Sequence, residues 1–412
     1  MNVGIESISM YIPHYGLDLR DLARARNVDY LKYGQGIGQE FMAVPAPDED
    51  VITLGANAAR QALAGIDSEA VRTVILATES GVDQSKAGAI YLHSLLGLGA
   101  NCRTVEMKQA CCSSTSALHF ALATVALHPR QKVLVVASDV ARYGLGSAGE
   151  PTQGGGAVAM VVSANPRILR LDSEVGYYTE DVMDFWRPNY LDEAVVDGKY
   201  SIKVYLHALE QAWRHYKAES GAQFRDFDHF CYHLPFTRMG LKAHLNLARL
   251  EHAEISARDL QAQIEPSLAY NRRIGNSYTA SLYMGLLALL ETNAEPLDGR
   301  RVGFFSYGSG CMGAFFGGTV APGYRHHLNT RLHRGLLEQR QKLSIAEYER
   351  FYQHRLPEDG SPYRTARHRT GAFRLAGVDQ HRRIYEAVPA RAVPQAAASA
   401  EPCAAAPVHG AT

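Results

Sequence analysis

Gly-Gly-Gly-Ala-Val-Ala-Met-Val-Val-Ser, residues 154–163, is a run of small residues that opens into an apolar strand. Gly-Ser-Gly-Cys-Met-Gly-Ala-Phe-Phe-Gly-Gly-Thr-Val, residues 308–320, repeats the device late in the chain. One echo alone could be chance, so the surrounding order of elements matters. Before the first copy, residues 72–78 and 132–138 read as buried strands, and helical patterns fill about 51–65, 84–98 and 115–128. Before the second copy, a helical stretch at about 200–219 leads to a strand at 228–234, and a helix at about 276–292 leads to a strand at 301–307. Strands separated by helices predict an α/β fold with sheets covered on both faces. The matching order predicts a duplication.

Composition agrees with a large folded enzyme-sized chain. Its 412 residues suit two or three domain-sized units or one large duplicated fold. Lys plus Arg and Asp plus Glu both number 42, so formal net charge is zero. That excludes the basic footprint of a dedicated nucleic-acid binder. A hydrophobic content of 46% with 20% charged residues excludes a disordered chain. The N-terminus lacks a basic region followed by an apolar core, and no run of 18 apolar residues occurs, so the expectation is a cytoplasmic protein without membrane spans. Six cysteines (Cys102, Cys111, Cys112, Cys231, Cys311 and Cys403) show neither Cys-x-x-Cys nor zinc-finger spacing. Free thiols and no metal site are expected.

Charge is uneven along the chain. Residues 1–320 carry 28 basic against 34 acidic side chains, and residues 321–391 carry 14 against 7. The last stretch, 392–412, is Ala/Pro-rich with a single acid and reads as a disordered tail.

Three strand ends carry candidate chemistry. In 106–120, Glu-Met-Lys-Gln-Ala-Cys-Cys-Ser-Ser-Thr-Ser-Ala-Leu-His-Phe, two cysteines precede a helix that Ser113, Ser114 or Thr115 can cap. A cysteine at that helix start would have its thiol pKa lowered by the helix dipole; the same residue also suits a small buried hydrophobe. Glu79 follows an apolar strand, where α/β sheets form sites, and reads either as a general base or as a loop acid. His233 ends a strand before Pro235 and reads either as a proton donor or acceptor near neutral pH or as a structural histidine. The polar stretch 275–281 and the turn 306–310 offer ligand contacts or plain turns. Glu79, Cys111 and His233 together form a coherent set of base, nucleophile and acid.

At this point a resemblance is specific. Over roughly residues 3–385 the chain resembles 3-hydroxy-3-methylglutaryl-CoA (HMG-CoA) synthases, which have the thiolase fold. The matching stretches include Ala-Thr-Glu-Ser at 77–80, Gln-Ala-Cys at 109–111, Gly-Glu-Pro-Thr-Gln-Gly-Gly-Gly-Ala-Val-Ala-Met at 149–160, His-Leu-Pro-Phe-Thr-Arg-Met at 233–239, Gly-Asn-Ser-Tyr-Thr at 275–279 and Phe-Ser-Tyr-Gly-Ser-Gly at 305–310. The resemblance implies a duplicated α/β/α/β/α layered core with two mixed sheets. It places an N-terminal half at 1–165, a C-terminal half with family-specific additions at 166–390, and the tail at 391–412. It implies that Cys111 takes an acetyl group from a thioester, that Glu79 deprotonates its methyl, and that His233 anchors a β-keto acceptor and assists proton transfer to the keto oxygen. Tyr143, Asn276, Ser306, Gly308 and Ser309 match substrate-contacting positions. Lys242 is a further substrate-binding candidate. No cofactor is implied, since the acyl donor rides on the phosphopantetheine of CoA or of an acyl carrier protein. A homodimer is implied as well.

The family has two branches. One makes HMG-CoA for the mevalonate pathway; the other installs β-branches in polyketides on donor and acceptor acyl carrier proteins. Met-Asp-Phe-Trp-Arg-Pro-Asn-Tyr at 183–190, Val-Asp-Gly-Lys-Tyr-Ser at 196–201, Phe-Cys-Tyr-His at 230–233 and Gly-Asn-Ser-Tyr-Thr-Ala-Ser-Leu-Tyr at 275–283 resemble the carrier-protein branch, which is therefore the expectation. Gly-Ile-Gly-Gln-Glu at 36–40 resembles the mevalonate branch. Both branches usually have an aromatic where Cys112 stands. A non-condensing acyltransferase or a scaffold is the remaining alternative, and the joint presence of Glu79, Cys111 and His233 argues against it. The basic segment 321–391, with Arg20, Arg24, Arg26 or Lys242, is expected either to form a patch for an anionic carrier or to be a solvated face.

Overall fold

The computed structural model describes residues 2–368 and 370–388. The expected tail with Cys403, and Arg369 of the basic segment, lie outside the described residues. The first half runs β1 (Gly4–Tyr11), β2 (Tyr15–Asp18), α1 (Leu19–Ala25), β3 (Phe41–Val44), α2 (Val51–Ala62), β4 (Val71–Ala77), α3 (Gly88–Leu95), β5 (Arg103–Met107), α4 (Ser113–Leu127), β6 (Lys132–Val140) and β7 (Gly155–Ser163). The second runs β8 (Leu169–Thr179), β9 (Phe185–Trp186), β10 (Val195–Val196), α5 (Gly198–Ser220), β11 (His229–Tyr232), α6 (Thr237–Leu250), α7 (Ala257–Ala262), α8 (Glu265–Leu268), α9 (Asn271–Ile274), α10 (Ser281–Thr292), β12 (Arg301–Gly308) and β13 (Met312–Val320). A closing segment adds α11 (Thr330–Glu338), β14 (Gln341–Lys342), α12 (Ile345–Gln353), β15 (Tyr363–Arg364), β16 (Phe373–Asp379) and β17 (Arg382–Ala387).

The duplication is visible in strand order. The first half lies in the order β1-β7-β6-β4-β5 and the second in the order β8-β13-β12-β11. Pairing senses also correspond. β4 is parallel to β6 as β11 is to β12, and β7 is antiparallel to β6 as β13 is to β12. The two mixed sheets meet at a short antiparallel seam, Gly4 opposite Arg170 and Ile5 opposite Leu169, which makes one continuous nine-stranded sheet.

Strand periodicity explains the layers. Side chains alternate faces along a strand. On β6, Val133, Val135 and Ala137 enter the central core, while Leu134 and Val136 enter the core under α2 and α3. On β12 and β13, Phe304 and Phe316 face the central core, while Phe305 and Phe315 face the core under α5 and α6. α4 and α10 supply the central layer with Ala117, Leu118, Ala121 and Val125 and with Leu286, Leu287 and Leu290. The result is the expected α/β/α/β/α order. Ala110–Leu127 is the one described segment long and apolar enough to cross a bilayer by composition alone, and half of it is buried in this core.

Part of the basic excess of the closing segment pairs with acids elsewhere in the fold. Arg374 bonds the fully buried Asp48 at 3.0 Å and Glu386 at 2.8 Å. Arg383 pairs with Asp50 at 3.1 Å, Lys342 with Asp21 at 2.6 Å, and Arg355 with Asp192 at 3.0 Å. Arg26 grips buried Glu150 through two nitrogens and reaches Glu349 at 2.8 Å. Arg24 bonds Asp21, Arg382 pairs with Asp379, and Arg20 lies over the Tyr30 ring. Lys342, Arg355, Arg374 and Arg383 thus tie the closing segment to the acidic remainder of the chain. Arg364 and Arg367 stay exposed. Removing one member of a buried pair leaves an uncompensated charge. Arg374→Ala is expected to cost about 3–5 kcal/mol, read as a lower midpoint in denaturant unfolding.

Candidate active site

The C-terminal ends of β4, β6, β11 and β12, with the turn after β5, converge on one place. Gln109 to Cys112 form a tight turn there. Ala110 has φ 44°, a left-handed conformation uncommon outside glycine. The turn is fixed by Ser113, whose hydroxyl accepts from the Gln109 N–H and donates to the Ala110 carbonyl, both at 2.6 Å. Cys112 is the N-cap of α4, so Cys111 stands one residue outside the helix. The Cys111 thiol donates to Glu79 Oε1 at 2.9 Å.

This geometry corrects the expected helix effect on the thiol. Burial and the neighbouring Glu79 carboxyl push the Cys111 pKa well above the ordinary thiol value. Glu79 is itself pushed up to about 8, by burial and then by the Asp139 carboxylate, against a lowering by the Cys111 hydrogen bond and by Arg187. Both shifts favour the protonated forms, so the pair does not present a preformed thiolate. Cys112 points elsewhere. It is fully buried, bonded to Ser306 and Ser116, and raised by burial to about 11.

Asp139, at the end of β6, holds Glu79 in place. Its Oδ1 accepts from the Thr78 hydroxyl at 2.8 Å and from the Glu79 and Ser80 N–H groups, each at 3.0 Å. Its Oδ2 accepts from the Thr279 hydroxyl at 2.5 Å. Arg187, beyond β9, donates to the Glu79 carbonyl at 2.5 Å. Neither residue was singled out from the sequence. Asp139 did carry a signal: it ends a buried strand just as Glu79 follows one.

His233 directly follows β11, whereas Glu79 stands two residues beyond the end of β4. Its N–H donates to the Phe305 carbonyl at 2.8 Å, its carbonyl accepts from Tyr205, and its Nδ1 lies 3.2 Å from the Ser281 hydroxyl. Burial lowers its pKa to about 3. It is neutral at physiological pH and serves as a hydrogen-bonding group, so the expected titration near neutrality is corrected.

The other candidates divide. Tyr143 packs in one cluster with Cys111 and Tyr278, and Phe185 closes that cluster from the β9 side. Asn276 is buried, and its Oδ1 accepts from the Tyr278 N–H at 2.9 Å. Gly308 lies so close to the nucleophile turn that a Cβ there would stand 2.3 Å from the Gln109 carbonyl oxygen and 2.8 Å from Cys112 Cβ. Ser306 bonds Cys112, and Ser309 bonds Tyr307, whose hydroxyl donates to Asp184 at 2.6 Å. Lys242 is not brought in among these buried groups. It is exposed on α6, with Nζ 5.4 Å from the Phe236 ring centre. Among the described residues, no group of three metal-ligating side chains comes together.

Comparison with known proteins gives consistent matches. The family model "Hydroxymethylglutaryl-coenzyme A synthase N terminal" matches residues 1–167, and its C-terminal counterpart matches 169–259 and 249–387. The hydroxymethylglutaryl-CoA synthase of Enterococcus faecalis is 46% identical over 360 residues, 87% of this chain and 94% of that protein. The polyketide biosynthesis 3-hydroxy-3-methylglutaryl-ACP synthase PksG of Bacillus subtilis is 34% identical over 373 residues, 85% of this chain and 87% of that protein. A crystal structure of an HMG-CoA synthase complexed with CoA superposes with a TM-score of 0.89 at 41% identity, covering 94% of this chain and all of that one.

A thiolase fold with these matches across both halves defines an acyltransferase-type enzyme. The chain belongs to the hydroxymethylglutaryl-CoA synthase family.

Proposed function

We propose that this enzyme condenses an acetyl group, held as a thioester on Cys111, with the β-keto carbon of an acetoacetyl thioester, and that CoA carries both substrates. The observation that carries the mechanism is the 2.9 Å hydrogen bond from the Cys111 thiol to Glu79. As sulfur attacks the donor thioester, Glu79 takes the thiol proton, and the departing CoA thiolate takes a proton as it leaves. Glu79, again a carboxylate, removes a proton from the acetyl methyl. The resulting carbon nucleophile attacks the keto carbon, and the alkoxide so formed gains a proton. Neutral His233 holds that oxygen as a hydrogen-bond donor, and the proton returns from Glu79. Water then cleaves the thioester at Cys111, giving a free carboxylate and the thiol. A fixed carboxylate spares the reorganisation that makes such a carbanion costly in water. Tyr143 and Asn276 line the acyl site in this reading, and Ser306 with Gly308 backs the nucleophile turn. No resident cofactor or metal takes part.

The choice of CoA rests on similarity across nearly the whole chain: 46% and 41% identity to the CoA enzymes against 34% to PksG. The second reading is β-branching on donor and acceptor acyl carrier proteins, as the stretches at 183–190 and 275–283 suggest and as a relative named for ACP substrates supports. The experiment compares acetyl-CoA with an acetyl-carrier protein as donor, following acetyl-Cys111 by mass spectrometry. Efficient loading from acetyl-CoA supports the first reading. Loading from the carrier protein alone overturns it.

Two outcomes follow from the same reading. Condensation needs Glu79 as the anion, and its pKa stands at about 8. The rate is therefore expected to climb with pH through about 8, with no inflection from His233 between pH 5 and 8, because burial holds that ring neutral. A pH profile of kcat/KM checks this. A homodimer is also proposed. β5 is the terminal strand of the sheet with one free edge, and α4 beside it exposes Phe120 and Leu127. Light scattering is expected to give twice the chain mass, and a monomer would contradict the arrangement.

A further inference from the structure

A cavity that Cys111 does not line lies beside the residues that follow Glu79. It has a volume of about 520 Å³ and sits between the stretch after β3, the segment after α12 and β16. That size falls within the range that holds small organic ligands. Ser80, Val82, Val140 and Arg142 contribute to its wall, whereas Cys111, Glu79 and His233 do not.

Its walls are largely apolar, with Val44, Pro45, Val51, Leu356, Leu375 and Val378 among them. Its charges are not balanced. Asp50 is consumed by Arg383 and Tyr385, and Arg355 by Asp192. Glu49 accepts from the Tyr11 hydroxyl and the Ala46 N–H, and burial lifts its pKa to about 8, so it adds little negative charge at neutral pH. Glu358 is an exposed acid at the edge.

Arg142 is the exception. Its guanidinium lies over the Tyr352 ring at 4.2 Å and donates one Nη2 bond to the Tyr352 carbonyl. Its Nε is buried and has no hydrogen-bond partner. Among the described residues it forms no ion pair within 4 Å, although Asp192 and Glu193 are close enough to act on it at longer range. The Nε nitrogen is shielded from the cavity, so an occupant meets the guanidinium through its remaining N–H groups, and a planar carboxylate is the group that matches their fork.

The geometry points to a second ligand site, separate from Cys111, in which an apolar monocarboxylate lays its body against these walls and its carboxylate on Arg142. The wall shared with Ser80 and Arg142 touches the residues next to Glu79 and Tyr143, which gives an occupant a short path to the reacting groups.

The test uses the full-length enzyme, 4-phenylbutyrate as probe and 4-phenylbutyramide as its uncharged control, with binding read by titration calorimetry. The wild type and Cys111→Ala are expected to bind the acid saturably and at least about 10-fold more tightly than the amide. Arg142→Gln is expected to lose about 10-fold or more in affinity for the acid. Val82→Trp narrows the cavity without touching the charge and is expected to weaken acid and amide alike; it also keeps the test open should the Arg142 variant not fold. Absence of saturable binding to the wild type, equal binding of acid and amide, undiminished binding in Val82→Trp, or loss of binding in Cys111→Ala would each overturn the assignment.

Discussion

Cys111→Ala enzyme mixed with acetyl-CoA is expected to take up no acetyl group and to lose condensation by at least about 10⁴-fold. Among the described cysteines, Cys111 is the one hydrogen-bonded to Glu79. Cys112 is adjacent in sequence but cannot replace it. Its side chain is fully buried and bonded to Ser306 and Ser116, and Gly308 packs against its Cβ. The Cys112→Ala protein is therefore expected to keep acetylation. Intact-mass measurement followed by peptide mapping reads both results. An acetyl group on Cys112 of the Cys111→Ala enzyme would show that the nucleophile has been placed on the wrong sulfur.

Glu79→Gln is expected to separate the two half-reactions. Forming a carbanion from the acetyl methyl needs a positioned base, and removing a general base costs about 10²–10⁴-fold. Acetyl transfer also uses Glu79, as the acceptor of the thiol proton, but a thiol can lose that proton to solvent, whereas the methyl cannot. Acetylation should therefore slow yet go to completion, while condensation falls by the full factor. The readouts are single-turnover acetylation and product formation measured on the same preparation. Condensation at an undiminished rate would remove Glu79 from its role as base. The glutamine also removes a carboxylate that burial disfavours. Glu79 has its folded pKa raised from 4.5 to about 8, so it erodes stability as pH rises from the one value to the other. The variant should lack that part of the loss.

The contrast between what the sequence disclosed and what it hid has physical causes. Strand and helix positions were legible because the core layers impose a period of two on β6, β12 and β13 and a wider period on α4 and α10. The duplication was legible because small residues before β7 and at the β12–β13 turn serve the same close packing. Glu79, Cys111 and His233 were legible as residues at strand ends. Their protonation states were not. Whether Cys111 sits inside the helix field or one residue before it depends on the turn at Ala110, and its neighbour Glu79 comes from 32 positions away. Burial of His233 likewise arises from β12 and α10, far along the chain. Some ion pairs of the closing segment join residues more than 300 positions apart, as Arg374 with Asp48 and Arg383 with Asp50. Charge counting alone left those arginines as either a patch for an anionic carrier or a solvated face. Arg187 stands beyond the two-residue strand β9, too short to leave a periodic signal.

The most direct measurement is a single turnover of isolated acetyl-enzyme carrying carbon-13 in both acetyl carbons. Acetoacetyl-CoA is added, and the product and the Cys111 peptide are weighed. The expected result is a hydroxymethylglutaryl thioester that contains both labelled carbons, with Cys111 returned to the free thiol. Label recovered only as acetate or acetyl-CoA, with no new carbon–carbon bond, would contradict condensation through acetyl-Cys111.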